Sequence, residues 1–396
     1  MKYNILNEKL KHIILEYEDE MINFRRDLHK YPELSWEEVR TTNKIAAVLD
    51  KYDIQYRKTD PTGLIGEIRG TKPGKTVLLR ADIDALPVQE LNDLSYKSEF
   101  DGKMHACGHD SHASMLLYAI IALNEIKSSL TGTVRFVFQP AEEIAEGAME
   151  MIKQGAAEGV DNVFGLHVWS LVPSGKISCN YGPAFASTDV IKVKFKGKGG
   201  HAAAPHLSVD TAIVASSFVE NIQAVVSREI DPLQPVVVTI GRMNVGTRFN
   251  VIAENAILEG TVRTLDETVR DTVEQKIRLY AKSVAEMYGA EAEVSYFRGT
   301  DVVYNEENSV EFARDIIKET FGIDALIDIK PTMGGEDFSH YLSLGISGCI
   351  ALLGCGNSEK STCFSHHNGY FNIDENVMKS GSILYAYYAC SYLNNN

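Results

Sequence analysis

Residues 76–84 read Thr76-Val-Leu-Leu-Arg-Ala-Asp-Ile-Asp84, an apolar run that ends in two alternating aspartates. A short apolar run closed by polar residues predicts a buried strand of a parallel sheet. Helices and strands are predicted to alternate after it, in the order helix 111–126, strand 134–138, helix 147–154 and strand 163–168. This alternation indicates a mixed, mostly parallel α/β sheet with helices on both faces.

The segment before this strand is predicted to be helical. Apolar residues recur at helical spacing from Ile5 to Leu28, which predicts a helix over this stretch. Pro32 interrupts the pattern, and Ser35-Trp36-Glu37-Glu38 then has the spacing of a capping box. A second helix is therefore expected to begin at this box and to end near Tyr52.

The pattern changes near Ser187, where apolar residues 191, 193 and 195 alternate with lysines, as in a half-exposed antiparallel strand. The order β-α-β-β-α-β of a ferredoxin-like domain follows, with strands 191–195, 236–241, 256–264 and 291–297 and helices 210–227 and 267–288. The α/β pattern then returns, with helix 309–321, strand 350–353 and helix 375–392. We predict a discontinuous α/β catalytic domain, 1–186 and 299–396, and an inserted α+β domain, 187–298.

Composition excludes several classes of protein. The 396 residues are 44% hydrophobic and 23% charged, close to the average of globular proteins, which excludes wholesale disorder and a coiled-coil rod. A net charge of −15 disfavours nucleic acid and anionic membranes as partners. The longest apolar run, Met115–Leu123, is too short to cross a bilayer. Six scattered cysteines without a secretory signal indicate reduced thiols and a cytoplasmic location.

Candidate metal ligands are densest in the stretch His105-Ala-Cys-Gly-His-Asp-Ser-His112. Thiolate and neutral imidazole are the ligands that zinc and similar ions prefer. The spacing of Cys107 and His109 sets two of them on one side of an extended or looped backbone. An isolated Cys or His is more often a packed core residue. Four such groups within eight residues, just before an apolar helix, favour a metal site.

Further polar groups follow the ends of predicted strands, where ligands of open parallel sheets bind. They are Asp82 and Asp84, Glu142 and Glu143, His167, and, in the loop before the last helix, His366 and His367. Taken singly, the Glu pair fits the first turn of a helix and His167 fits a hydrogen-bonded core histidine. An extended Glu142-Glu143 would point its carboxylates in different directions. Together, the groups suit two metal ions, which can support hydrolysis, better than one closed structural zinc.

Several stretches together resemble the metal-dependent amidohydrolases of the aminoacylase/carboxypeptidase-like peptidase family. The most similar branch contains hippurate hydrolases, N-acyl-L-amino-acid deacylases and auxin-conjugate hydrolases. The resemblance extends from about Arg25 to Glu375. Its specific stretches are Leu79–Pro87, Met104–Asp110, Gln139–Glu143, Gly165–Val168, Gly197–Ala203 and Gly334–Phe338.

The resemblance implies a di-metal catalytic domain that holds two divalent ions, zinc, manganese, nickel or cobalt. The implied metal ligands are Cys107, which would lie between the ions, His109, Glu143, His167 and His367. His367 matches the family spacing because it stands eight residues before Glu375, and the adjoining His366 is the alternative ligand. Asp82 stands where related branches carry a metal-binding histidine.

The resemblance also implies catalytic and substrate-binding residues. Glu142 matches the general base, and Asp84 matches the acid that supports the metal site. His201 matches a histidine of a lid and dimerisation domain that polarises the scissile carbonyl in the partner's active site. Asn250 resembles the family's partner asparagine, and Arg263 is a candidate for holding the substrate carboxylate.

The implied reaction is hydrolysis of the amide bond of N-acyl-L-amino acids, such as N-acetyl or N-benzoyl compounds, by a cytoplasmic homodimer or tetramer. Specificity for N-acetyl-diaminopimelate or for aminobenzoyl-glutamate is an alternative within the class. A catalytically silent metal-binding homologue is an alternative outside it. A hydrolase with Cys107 as nucleophile and His109 as base is a third, and it predicts activity that chelators do not abolish.

Overall fold

The computed structural model describes residues 2–395. Within this range the ten α-helices are α1 (Lys2–Glu16), α2 (Glu18–Lys30), α3 (Val39–Lys51), α4 (His109–Glu125), α5 (Gly147–Lys153), α6 (Thr211–Ala224), α7 (Glu267–Tyr288), α8 (Glu307–Phe321), α9 (Ser339–Ser343) and α10 (Met378–Asn395). The strands are β1 (Gln55–Lys58), β2 (Leu64–Arg69), β3 (Lys72–Asp82), β4 (Thr131–Gln139), β5 (Asn162–Pro173), β6 (Ile177–Ser178), β7 (Gly182–Phe185), β8 (Asp189–Lys196), β9 (Gly200–His201), β10 (Val236–Val245), β11 (Val251–Ile252), β12 (Asn255–Thr264), β13 (Glu291–Arg298), β14 (Val303–Asn305) and β15 (Ser347–Gly356). None of the described helices combines the length and the apolar character that crossing a bilayer requires.

The chain divides into two compact units. Of the described residues, the first unit contains 2–182, 304–330 and 340–395, and the second contains 183–303 and 331–339. The sequence places the inserted domain at 187–298, so the observed second unit is a few residues longer at each end. It also takes in residues 331–339, which follow the insertion along the chain.

A seven-stranded sheet forms the centre of the first unit, in the order β1-β2-β4-β3-β5-β15-β6. The four central strands, β4, β3, β5 and β15, run parallel, whereas the pairs β1-β2, β2-β4 and β15-β6 are antiparallel. Near-continuous burial of β5 agrees with a strand covered on both faces. The prediction of a mixed, largely parallel α/β sheet is confirmed.

Helix α4 is buried along almost its whole length, because every residue from His109 to Leu123 is inaccessible to solvent. It packs between the sheet, through β3 and β5, and the helices α1, α2 and α10. A helix that is apolar all round belongs inside a protein of this size or in a membrane. The run Met115–Leu123 is therefore the centre of a buried helix.

The second unit contains a four-stranded antiparallel sheet in the order β10-β12-β8-β13. Helices α6 and α7 contact this sheet, and its apolar core includes Phe195, Phe218 and Ile277. Along β8 the buried residues alternate with exposed lysines, as the sequence predicts. The arrangement agrees with the predicted α+β ferredoxin-like fold.

Two expectations for the N-terminal helices are wrong. The helix expected over Ile5–Leu28 is broken at Tyr17, which separates α1 from α2. The expected capping box does not cap α3, because Trp36 has a left-handed φ of 67° and the helix begins only at Val39. The Ser35 hydroxyl donates instead to Asp84 Oδ2 at 2.8 Å.

Candidate metal centre

The candidate ligands of the first unit lie at the carboxyl ends of its central strands. β3 ends at Asp82, which pairs directly with Gln139 at the end of β4. Glu142 follows Gln139 by three residues, His167 lies within β5, and His109 is the first residue of α4. The parallel register therefore sets these groups side by side, as the sequence predicts.

Cys107, His109 and His167 form a compact, fully buried group. Their ligand atoms lie within 4.8 Å of one another, and Cys107 Sγ lies 3.5 Å from His167 Nε2. His167 Nδ1 donates a hydrogen bond to the carbonyl oxygen of Val168 at 2.6 Å, which leaves Nε2 facing the thiol. A thiol and two imidazoles at this spacing can hold one divalent ion.

Cys107 also belongs to a second group, with Glu143 and His367. His367 Nε2 lies 3.5 Å from Glu143 Oε2. One thiol thus adjoins both groups, and the structure brings together every ligand expected from the sequence. The groups meet as a pair of trios that share Cys107, an arrangement suited to two ions. That these residues ligate metal stays a prediction.

Two buried atoms of this centre have no hydrogen-bond partner among the described residues. They are His109 Nε2 and Glu143 Oε1, which lie 3.7 Å apart. Buried polar atoms are nearly always paired, so these two indicate a missing partner. An imidazole, a carboxylate and the nearby thiol of Cys107 fit a divalent transition metal such as zinc, manganese, cobalt or nickel.

Asp84 connects two of the candidate ligands. Its Oδ1 lies 3.1 Å from His109 Nδ1, and its Oδ2 accepts the backbone N–H of Glu143 at 3.0 Å. The bond from His109 assigns the ring proton to Nδ1 and leaves Nε2 for an ion. The Ser35 hydroxyl donates a second hydrogen bond to Oδ2. Asp84 is thus placed to support the metal site.

Asp82, His109 and His112 form a third trio of potential ligand atoms, but Asp82 and His112 are occupied by protein partners. Asp82 binds His112 Nδ1 and Arg80 Nη1, both at 2.6 Å. His112 Nε2 accepts the backbone N–H of Val168 at 2.8 Å. This trio is a buried polar network beneath the metal centre. His112 has no predicted role of its own, although its i+3 spacing from His109 puts both on one helix face.

The carboxylates of Glu142 and Glu143 converge, whereas an extended backbone would separate them. Glu142 Oε2 lies 3.8 Å and Glu143 Oε1 lies 3.7 Å from His109 Nε2. The reason is a turn, since Ala141 has a left-handed φ of 55° and Ala145 N–H donates to the Glu142 carbonyl. The pair does not open a helix either, because α5 begins only at Gly147.

The structure distinguishes the two adjacent histidines of the last loop. His367 is the one beside Glu143, and its backbone N–H donates to the Ala106 carbonyl at 2.8 Å. His366 Nε2 donates instead to the Val168 carbonyl at 3.0 Å. His367 is therefore the better candidate ligand, in agreement with its spacing from Glu375.

The chain matches the model of peptidase family M20/M25/M40 over residues 78–390. It belongs to this family. It is similar to thermostable carboxypeptidase 1 of Saccharolobus solfataricus, with 40% identity over 393 residues that cover 98% of this chain and 99% of that protein. It is also similar to N-acetylcysteine deacetylase of Bacillus subtilis, with 40% identity over 368 residues that cover 92% and 95% of the two chains.

A solved structure agrees with this membership. The Bacillus subtilis protein described as a dinuclear metal-binding peptidase of the M20 family has a TM-score of 0.85 and 35% identity, and the match covers 96% of this chain and 99% of that one. The predicted fold class and the prediction of a metal-dependent amidohydrolase are thereby confirmed at the level of the M20 family.

Burial shapes the protonation of the candidate ligands in this M20 chain. It raises the pKa of Glu143 to about 8, and it raises the pKa of the Cys107 thiol well above its usual range, with the charge of Glu143 adding to the effect. Burial opposes protonation of His109, but the charge of Asp82 and the bond to Asp84 outweigh it, so the pKa of His109 is raised well above its usual range. All three pKa shifts favour the protonated forms of these groups.

We therefore expect metal binding to release protons and to strengthen as the pH rises from about 6 to about 9, because ligands must be deprotonated to bind an ion. The measurement is calorimetric titration of chelator-treated protein with Zn²⁺ at pH 7, in buffers of different ionisation enthalpy. The Glu143→Gln variant, which lacks one proposed ligand, should bind one ion fewer and release fewer protons. Binding heats that do not depend on the buffer would contradict the expectation.

Three predicted residues lie in the second unit. His201 is exposed on β9, which pairs with β11, and its Nδ1 accepts the backbone N–H of Ala203 at 3.0 Å. Asn250 is exposed and precedes β11, and its carbonyl accepts the N–H of Ala202 at 3.3 Å. Arg263 is half-buried on β12, and its Nη1 donates to the Val262 carbonyl at 2.9 Å. Their roles stay predictions.

A buried ionic network lies behind the metal centre and was not assigned from the sequence. Arg25 Nε lies 2.7 Å from Asp110 Oδ2, and both side chains are fully buried. His29 connects Asp110, at 2.8 Å from Nδ1, with Glu90, at 3.2 Å from Nε2. Because Asp110 follows His109 directly, the network fixes the first turn of α4. The sequence signals were the Arg25–His29 stretch, which begins the family resemblance, and the Met104–Asp110 stretch.

Proposed function

We propose that the protein hydrolyses the amide bond of N-acyl-L-amino acids and releases a carboxylic acid and a free amino acid. The observation that carries this proposal is the convergence of Glu142 and Glu143 on one edge of His109. Glu143 belongs to the trio with Cys107 and His367, whereas Glu142 groups with His109 and Glu143, and we assign Glu142 to proton transfer. A carboxylate close to bound ions can act as the general base in metal-assisted amide hydrolysis.

The similar proteins support the substrate class. One is named for releasing a carboxyl-terminal residue and another for removing the acetyl group of N-acetylcysteine. Both names describe cleavage of an amide bond next to an amino acid that carries a free carboxylate. Specificity for N-acetyl-diaminopimelate or aminobenzoyl-glutamate fits the same description, and the residues of the metal centre do not favour it.

Two divalent ions would be held by Cys107, His109, Glu143, His167 and His367, of which Cys107 belongs to both trios. Ions in such a site supply Lewis acidity, which makes water more acidic and stabilises negative charge on a carbonyl oxygen. The carboxylate of Glu142 takes a proton from the attacking water and gives it to the departing amine nitrogen. Asp84 holds the proton on His109 Nδ1 and orients the ring.

We assign the second unit to substrate recognition and to dimerisation. Since His201 Nδ1 accepts a hydrogen bond, its Nε2 carries the ring proton and can donate to the scissile carbonyl of the partner's site. Asn250 lies beside it, and Arg263 supplies a cation for the substrate carboxylate. The homodimer, its alternative tetramer and the cytoplasmic location stay predictions, and light scattering of the purified protein tests the first two.

The test of the reaction is release of free amine from N-acetyl, N-benzoyl and longer N-acyl amino acids by protein loaded with Zn²⁺, Mn²⁺, Co²⁺ or Ni²⁺. Release is expected with at least one ion and is expected to stop when a chelator is added. Folded, metal-loaded protein that releases no amine would favour the catalytically silent homologue. Release that resists chelators but stops on alkylation would favour Cys107 as a nucleophile, although burial raises the pKa of its thiol, which opposes that role.

A further inference from the structure

The main chain of Val168 contacts three histidine side chains. Its N–H donates to His112 Nε2 at 2.8 Å, and its carbonyl oxygen accepts from His167 Nδ1 at 2.6 Å and from His366 Nε2 at 3.0 Å. These rings come from α4, from β5 and from the loop before α10. The main chain of one residue in a central strand therefore connects the three segments that carry the imidazoles of the metal centre.

His366 is held in place by more than this hydrogen bond. Its ring lies 4.6 Å from the Trp169 ring at an interplanar angle of 32°, and 4.9 Å from the Phe371 ring. It lies 5.4 Å from the His167 ring. The aromatic contacts and the bond to Val168 give His366 a fixed position against the end of β5.

By contrast, the side chain of His367 is 54% exposed, so its own contacts hold this residue only weakly. Its backbone has a left-handed φ of 64°, which costs a residue with a side chain about 1–2 kcal/mol. Its N–H bond to the Ala106 carbonyl joins it to the segment of Cys107. A half-exposed side chain on an unfavourable backbone needs its neighbours to keep it beside Glu143.

We propose that His366 is a positioning residue: by anchoring the last loop to the Val168 carbonyl, it keeps His367 where it can complete the trio with Cys107 and Glu143. The proposal rests on the two-ion site given above. It assigns adjacent histidines different tasks, one as a ligand and the other as the support of that ligand. Partners of this kind affect metal affinity by about 10–100-fold when they are lost.

The test compares His366→Leu with His366→Gln. Leucine removes the donor, whereas the glutamine Nε2 is separated from Cβ by as many bonds as the histidine Nε2 and can donate to the same carbonyl. His367→Gln removes the proposed ligand, and His12→Gln, on an exposed face of α1, is the matched control. Each chelator-treated protein is titrated with Co²⁺ and with Zn²⁺, and the bound ions are counted after dialysis.

We expect His366→Leu to weaken one of the two binding steps by about 10–100-fold and to leave the other unchanged. His366→Gln should restore most of the loss, His367→Gln should bind one ion fewer, and His12→Gln should match the parent. A thermal unfolding curve checks each variant. If His366→Leu does not fold, His366→Asn, with an amide one bond too short to reach the carbonyl, replaces it.

Three results would overturn the proposal. The first is a His366→Leu variant that binds both ions like the parent. The second is an equal weakening of both steps, which would indicate general damage to the fold. The third is a His367→Gln variant that keeps two ions while both His366 variants lose one, which would make His366 the ligand. Because the readout is ion binding, the test does not depend on whether the proposed substrates are cleaved.

Discussion

Glu142→Gln is expected to lower kcat for N-acyl amino acids by about 10²–10⁴-fold, the usual contribution of a general acid–base group. The amide keeps the size and polarity of the side chain but cannot take a proton from water. Glu142 lies outside the trio of Cys107, Glu143 and His367, but it also forms a potential ligand group with His109 and Glu143. If its role is proton transfer, ion binding should be unchanged in the variant. The measurement is steady-state kinetics on metal-replete protein, with the bound ions counted in the same sample.

Two neighbouring variants make this comparison specific. Glu146→Gln changes an exposed carboxylate of the same turn, whose bond to the Trp36 indole N–H is 3.0 Å long, and should keep parental kcat. Glu143→Gln should lose activity together with an ion. A Glu142→Gln enzyme with near-parental kcat would remove Glu142 from its assigned role, and loss of an ion in that variant would make it a ligand.

Arg25→Met is expected to lower the free energy of unfolding by about 3–5 kcal/mol, since it removes one partner of the buried ion pair with Asp110. Arg25 and Asp110 are both fully inaccessible, and His29 alone would have to neutralise the carboxylate. The measurement is urea denaturation of chelator-treated protein at pH 7. This ionic network is the support of the turn that begins α4, so the loss should appear as a cooperative change in the whole first unit.

The control for this prediction is an exposed pair. Lys51 lies 3.1 Å from Glu20, and both side chains are about half exposed, so Lys51→Met should cost at most about 1 kcal/mol. An Arg25→Met effect no larger than that of Lys51→Met would contradict the role given to the network.

The dependence of stability on acid pH is a second test of this network. Arg25 and His29 hold the pKa of Asp110 far below its usual range, against the effect of burial. The stability that Asp110 contributes is complete above about pH 4, its unfolded pKa, and is lost as the pH falls below that value.

Periodicity and composition were sufficient to predict the elements whose environment is local. Helix α7 was predicted with its observed bounds, because Asp266 caps its start and Gly289 ends it in a left-handed conformation. The capping box predicted at Ser35 does not form, because its side chains bind residues that are distant in sequence. Its hydroxyl binds Asp84 and its Glu38 carboxylate accepts the N–H of Ala141, and both partners are distant in sequence.

The candidate ligands could be found from the sequence because metal-binding side chains are chemically distinctive and parallel strand ends meet at one edge. Apart from Asp84, which the family resemblance implied, the groups that support these ligands could not be found in this way. The Val168 main chain has no sequence signal, since any residue supplies the same N–H and carbonyl. The direction of Glu142 depends on a left-handed Ala141, a conformation that alanine rarely adopts and that composition does not reveal.

The complete burial of α4 affects how the metal centre moves. Exposing any backbone amide between His109 and Leu123 requires separation of α4 from β3, β5, α1, α2 and α10 at once. Hydrogen exchange of these amides should therefore occur only through global unfolding, among the slowest rates in the chain. His109 is therefore expected to begin one of the most slowly opening segments of its unit, whereas His367 stands on an accessible loop. Since Cys107 belongs to the trios of both histidines, binding of two ions would connect the buried helix to the accessible loop. We expect this binding to slow hydrogen exchange in the loop and to leave exchange in the helix unchanged.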